Sequence, residues 1–186
     1  MTDYQSIPDD LPRPVDDGAA DHLPESPMPV VTLTSTDGKA VNLAELGPGR
    51  TVLYIYPLTG TPGADLPTGW DEIPGARGCT PEACSFRDNY ADLRAAGATA
   101  VYGLSSQDRD YQREVVERLH LPFPMLSDQD RQLAAALRLP TFEADGMTLY
   151  KRITLVIHDG SIEHIFYPIF PPNEHAQQVL QWLRDN

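Results

Sequence analysis

The sequence predicts an α/β domain in which a central mixed β-sheet carries helices on its faces and is preceded by an N-terminal β-hairpin. Three observations carry that prediction. Two runs of β-branched and aromatic residues, TVLYIYP at 51–57 and TAVYGLSS at 99–106, are continuous rather than alternating, as strands buried on both faces are. Segments with helical apolar spacing follow them, giving alternating βαβ units. RITLVIHDGSIEHIFY then places two strands about Asp159-Gly160, so an antiparallel pair joins strands that are otherwise parallel.

In chain order, residues 1–28 are rich in Pro and Asp and lack a sustained apolar period. They read as an extended or partly disordered arm, with 29–186 as the domain. VVTLTST and AVNLAEL flank Asp37-Gly38, a hairpin signal, and TVLYIYP is a central strand stopped by Pro57. A helix follows with Thr80 as N-cap, Pro81 at its first position, Glu82 in its first turn and Gly97 as its C-terminal cap. Its core-facing stripe is Ala83, Phe86, Tyr90 and Leu93. After the second buried strand, residues 108–121 put Tyr111, Val115, Val116 and Leu119 on one helical face. PFPMLSD is a short strand and QDRQLAAALRL a helix ended by Pro140. No element is predicted for 141–150. The chain closes on an amphipathic helix in NEHAQQVLQWLRDN, capped by Asn173.

Composition narrows the functional classes. With 14 Lys and Arg against 27 Asp and Glu the formal net charge is −13, which argues against nucleic acid or an anionic membrane surface as partner. No run reaches the roughly 18 apolar residues of a membrane span, and MTDYQSIPDD lacks the basic and apolar parts of a signal peptide, so the expectation is a soluble, cytoplasmic protein. Two cysteines do not make a disulfide scaffold.

Both cysteines lie in GARGCTPEACSFRD. Cys79 falls at the N-terminal end of the predicted helix, where free N–H groups and the helix dipole favour a thiolate. Cys84 lies away from the core stripe, unlike a cysteine that serves as a small hydrophobe. Residues five apart in an intact helix have Cα atoms roughly 8.6 Å apart, whereas a disulfide tolerates about 7 Å. The two cannot join without unwinding the first turn. The absence of Cys-x-x-Cys speaks against a thioredoxin-type disulfide reductase.

GCTPEACSFRD resembles the active-site helix of Q-type peroxiredoxins, also called the bacterioferritin-comigratory-protein group. The likeness extends over most of 29–185: the DGK hairpin, the strand ending in YP, YGLSSQD, LPFPMLSD, KRITLVIHDGSIEHIF and the last helix from NEHAQQVL. The resemblance implies a thioredoxin-like fold and a thiol peroxidase acting on hydrogen peroxide or organic hydroperoxides, with no metal or organic cofactor. It implies Cys79 as the peroxidatic cysteine, Cys84 as the resolving one, Glu82 as the acidic residue three after the first, and Arg152 as the arginine opening the penultimate strand. A guanidinium beside the sulfur suits this chemistry, since it holds the thiolate and stabilises the oxygen that leaves with charge. The product on Cys79 is a sulfenic acid, which Cys84 condenses to a disulfide and a thioredoxin-like dithiol reductant reopens. Such proteins are monomers or homodimers. A non-enzymatic redox sensor using the same cysteine pair is the alternative from another class.

The chain departs from the family motif Pro-x-x-x-Thr-x-x-Cys. Pro57 and Thr61 are in place, but Ala64 stands where the cysteine belongs, and ADLPTGWDEIPGARG at 64–78 reads as an insertion. Thr61 reaches Cys79 only if the inserted loop leaves and returns to one place, which costs little loop entropy; the alternative is that the threonine has no counterpart next to Cys79, where Ala76 stands. Trp70 and Ile73 are candidate anchors that make the loop a lid over the peroxide pocket or a cover for the reductant's docking surface. Arg77 is either a second positive charge near Cys79 or an exposed loop arginine. His22, His120, His158, His164 and His175 are scattered without metal-ligand spacing.

Overall fold

The computed structural model describes residues 6–186. Its first strands are β1 (Thr32–Ser35), β2 (Ala40–Asn42) and β3 (Arg50–Ile55), and the helices α1 (Cys79–Asp88) and α2 (Tyr90–Ala95) follow. Then come β4 (Ala98–Ser105), α3 (Arg109–Leu119), β5 (Met125–Ser127), α4 (Gln132–Leu137), β6 (Thr141–Ala144) and β7 (Met147–Tyr150). The chain ends with β8 (Ile153–His158), β9 (Ser161–Phe166) and α5 (His175–Asp185). Seven strands form one sheet in the order β2-β1-β5-β4-β3-β8-β9. β3, β4 and β5 run parallel, and the other neighbours pair antiparallel, which is the mixed sheet with an N-terminal hairpin that the sequence predicts.

Alternation along β3 sorts its side chains onto two cores. Leu53 and Ile55 join one with Leu104, Leu126, Leu155 and the α4 residues Leu133 and Leu137. Val52, Tyr54 and Tyr56 join the other, where α1, α2, α3 and α5 bring Phe86, Leu93, Val115 and Val179. Residues 6–28 carry no helix or strand of their own. Ala20, Leu23 and Met28 enter the first core, and Glu25 and Met28 donate backbone N–H groups to Ile162 and Gly160 (both 2.8 Å).

Three local expectations are corrected. The helix read as one element from Thr80 to Gly97 is two, broken at Asn89, whose side-chain amide donates to the Ser85 carbonyl (2.8 Å) and competes with the helical ladder. Its N-cap is Gly78 rather than Thr80, with Pro81 at the third position. Gly78 has φ 106° and a Cβ there would stand 2.4 Å from Pro172 Cγ, so only glycine lets the turn before α5 pack against the start of α1. Asn173 lies in a 3₁₀ turn, Pro172–Glu174, and Glu174 caps α5. An unpredicted element also appears. β6 and β7 form a separate two-stranded hairpin about Asp145-Gly146.

Candidate active site

Cys79 is the first residue of α1 and is 4% exposed. Arg152, just before β8, reaches it across the sheet end: Nη2 donates to Cys79 Sγ at 3.2 Å and to the Ala76 carbonyl at 3.0 Å. Its Nη1 donates to Glu82 Oε2 in a fully buried ion pair. Nε donates to the Gly75 carbonyl at 3.3 Å. One planar fork therefore binds the thiol, the carboxylate and the backbone preceding α1 together. The backbone N–H of Leu58, after β3, lies near enough to the sulfur to favour the thiolate.

Electrostatics here oppose one another. Burial pushes the Cys79 thiol up, Arg152 pulls it down, Glu82 adds to the rise, and the Leu58 N–H and the Arg152 hydrogen bond favour the thiolate. The net direction is upward, so burial outweighs the helix terminus that the sequence singles out. Burial also pushes the Glu82 carboxyl up, to about 7, against the pull of Arg152. Glu82 thus takes a proton near neutrality, which leaves the Arg152 charge to the sulfur.

Cys84 lies half-buried on the same helix beside Arg87, and both cysteines are free thiols. Its thiol is pushed up by partial burial, with Arg87 opposing. Cys79, Glu82 and Arg152 converge; Thr61 does not join them in this form. Its hydroxyl donates to Tyr111 Oη at 2.6 Å, and Tyr111 donates in turn to the Thr59 carbonyl at 2.7 Å. Thr59 is itself buried and held by Gln107, whose side-chain oxygen accepts from Thr59 N (2.9 Å) and Oγ1 (3.0 Å).

The inserted loop does return to the site. Trp70 packs on Phe142 of β6 with ring centroids 5.9 Å apart, in a small cluster with Ala76, Ala144 and Leu149. Leu58, Leu66, Trp70, Arg77 and Cys79 line a common cavity, whereas Ile73 lines a different one with Arg13 and Ile169. Arg77 is not an exposed loop arginine. It is buried and its Nη1 donates to Asp71 (2.7 Å). Sequence reasoning missed Leu58, Leu66 and the hairpin under Trp70. Asp145-Gly146 was a legible signal for the last; nothing local marks the other two. Among the described residues no cluster of His, Cys, Asp and Glu forms a metal-ligand group.

Comparison with known proteins gives consistent relatives. The Redoxin family matches residues 23–180. Peroxiredoxin Q, chloroplastic, of Oryza sativa subsp. japonica is 32% identical over 160 residues, 86% of this chain and 65% of that protein. The chain thus spans about two thirds of the rice protein's length. Peroxiredoxin Bcp of Escherichia coli strain K12 is 32% identical over 162 residues, 85% of this chain and 93% of that one. Among solved structures, Peroxidoxin BcpB from Mycobacterium tuberculosis aligns with a TM-score of 0.70 and 27% identity, covering 88% of this chain and 98% of that chain. Reduced Prx3 in complex with H2O2 from Vibrio vulnificus shares the fold, with a TM-score of 0.64 at 21% identity over 86% and 94% of the two chains.

Proposed function

The chain belongs to the peroxiredoxins of the Redoxin family, and on that premise we propose that it is a thiol peroxidase with Cys79 as the attacking group. The observation that carries this reading is the buried contact of Cys79 Sγ with Arg152 Nη2 at 3.2 Å. In the reaction the Cys79 thiolate attacks one peroxide oxygen, the S–O bond forms as the O–O bond breaks, and the other oxygen leaves as hydroxide or alkoxide and takes up a proton. The Arg152 guanidinium stabilises both the thiolate and the departing oxygen. Glu82 positions that guanidinium through the buried ion pair and, when protonated, leaves its charge to the sulfur.

The resulting sulfenic acid condenses with Cys84 to a disulfide, releasing water, and a thioredoxin-like dithiol restores both thiols. Because both cysteines lie on α1, five residues apart, the first turn must open for this step. Opening it withdraws Cys79 and Glu82 from Arg152, so the resolving state and the reacting state exclude each other. Thr61, held by Tyr111 in this form, would contribute only after changing partner. The same reading takes the protein as cytoplasmic; no helix among the described residues is long and apolar enough to cross a membrane.

The test is NADPH consumption with thioredoxin, its reductase and a peroxide. Multiple turnovers that vanish in Cys79→Ser are expected, and Cys84→Ser should react once and stall. Consumption of a single equivalent by the wild type would make the protein a sensor rather than a catalyst, and a Cys84→Ser variant that cycles normally would remove Cys84 from the resolving role.

A further inference from the structure

We infer that the inserted loop 64–78 is a size filter, in which Trp70 and Leu66 determine specificity by admitting hydrogen peroxide to Cys79 and turning away bulky organic hydroperoxides. The inference rests on the peroxidase reading above and names the substrate class of that site.

The space beside Cys79 is a cavity of about 10 Å³, walled by the long side chains of Leu58, Leu66, Trp70 and Arg77 and completed by Gly60, Gly78 and Thr80. That is room for about one water-sized group, enough for the oxygen under attack. Three of those four side chains come from the insertion. The apolar faces of Leu66 and Trp70 would suit an alkyl group, but the volume decides against one.

The wall is also held in place. Trp70 is 3% exposed and fixed on Phe142, Ala76, Ala144 and Leu149. The Arg77–Asp71 ion pair, at 2.7 Å, ties the loop to itself. The carbonyls of Gly75, Ala76 and Arg77 accept from Arg152 at 3.3, 3.0 and 3.3 Å, so the loop is bonded to the guanidinium that holds the sulfur. On its outer side lies a second, open cavity of about 380 Å³, lined by residues 65–72 and Arg77. Leu66, Trp70 and Arg77 line both cavities and so partition them. A hydroperoxide with a cumyl group matches the outer volume and not the inner one. Truncating Trp70 or Leu66 would join the two.

The experiment measures the second-order rate constant of Cys79 oxidation with hydrogen peroxide, tert-butyl hydroperoxide and cumene hydroperoxide. Wild type, Trp70→Ala and Leu66→Ala are compared. The wild type should favour hydrogen peroxide over cumene hydroperoxide by about a hundredfold, a discrimination that steric exclusion readily supplies. The ratio should shift toward the bulky substrate by about tenfold in either variant. Trp70→Ala removes a core side chain of the loop; Leu66, only half-buried, supplies the variant that keeps the fold. A wild type that reacts with cumene hydroperoxide as fast as with hydrogen peroxide, or a ratio unchanged in both folded variants, overturns the filter alone. No reaction of Cys79 with any hydroperoxide overturns the peroxidase reading beneath it.

Discussion

The seven-stranded sheet and the β6–β7 hairpin beside it stand at opposite ends of a scale of self-sufficiency. The sheet is covered on both faces by cores built from five helices, the hairpins and the N-terminal segment. The hairpin shares a cluster of four buried residues with the inserted loop, Ala144 and Leu149 from the hairpin and Trp70 and Ala76 from the loop, and only Tyr150 at the end of β7 reaches the first core. A two-stranded hairpin is marginal alone in water, so hairpin and loop stabilise each other. On the proposed reading the chemistry is anchored in the first region, with Cys79 and Glu82 on α1 and Arg152 just before β8. The second, through the loop, supplies Leu66, Trp70 and Arg77 to the lining of the space beside Cys79. On that reading the reacting residues sit in the extensively packed region and the screening residues in the one with few buried side chains, where local opening costs least.

The comparison breaks first at its rigid end. Leu53, wholly buried at the centre of β3 between β4 and β8, should cost about 2–5 kcal/mol when replaced by alanine, read from urea unfolding. A cost below about 1 kcal/mol would mean that the sheet is not the stabilising unit. Next comes Arg152→Lys, which keeps a charge but loses the fork that binds Cys79, Glu82 and three backbone carbonyls at once. The rate of Cys79 oxidation should fall about 10²–10³-fold, comparable to losing one preorganised donor to a developing oxyanion. An unaltered rate would show that charge alone suffices.

The two regions also differ in how much of each was legible. Continuous runs such as TVLYIYP announce buried strands, because burial on both faces leaves no polar alternation. Cys79 followed from its place at the start of a predicted helix, whereas Glu82 and Arg152 came only with the family resemblance, since no local pattern marks a buried pair 70 residues apart. The hairpin about Asp145-Gly146 bears the same turn signal as Asp37-Gly38 and Asp159-Gly160. Its strands, TFEA and MTLY, alternate weakly because their burial partner is a loop elsewhere in the chain. The start of α1 was misread for a related reason: Thr80 is a good cap in isolation, but Pro172, over 90 residues away, packs where only Gly78 fits. Thr61 likewise turns on a tertiary contact, with Tyr111 of α3. Local pattern shows what a segment prefers, and the satellite is where long-range packing overrides preference.

The satellite should therefore fail locally. Leu149→Ala removes a buried side chain from the small cluster only, at about 2 kcal/mol. Amide exchange across 64–78 and 141–150 should quicken about tenfold or more while the β3 amides keep their protection. Equal loosening of β3 would erase the distinction between the two regions.

The smallest effect tests the rigid region from inside. His175, the first residue of α5, is fully buried between Phe86 and Phe166. Its Nε2 accepts from Thr154 Oγ1 (2.8 Å) and its Nδ1–H donates to Gln178 Oε1 (3.2 Å). Burial holds its pKa down at about 4, and Arg152 contributes in the same direction. The folded state thus binds fewer protons than the unfolded one, so stability is full above about pH 6.5 and falls as the pH drops toward about 4. Glu82 has the opposite sign: with its folded pKa raised to about 7, its contribution is full below about pH 4.5 and is lost as the pH rises through about 7. Between pH 6.5 and 5.5 the two act in opposite directions, and half-buried His164, also held down by burial, titrates in the same range, so wild-type stability alone does not isolate His175. The difference between wild type and His175→Gln isolates the histidine. Over that window the wild type should lose about 1 kcal/mol relative to the variant. A difference independent of pH would mean that His175 titrates as freely as an exposed imidazole and that the α5 face of the sheet is wetter than its packing.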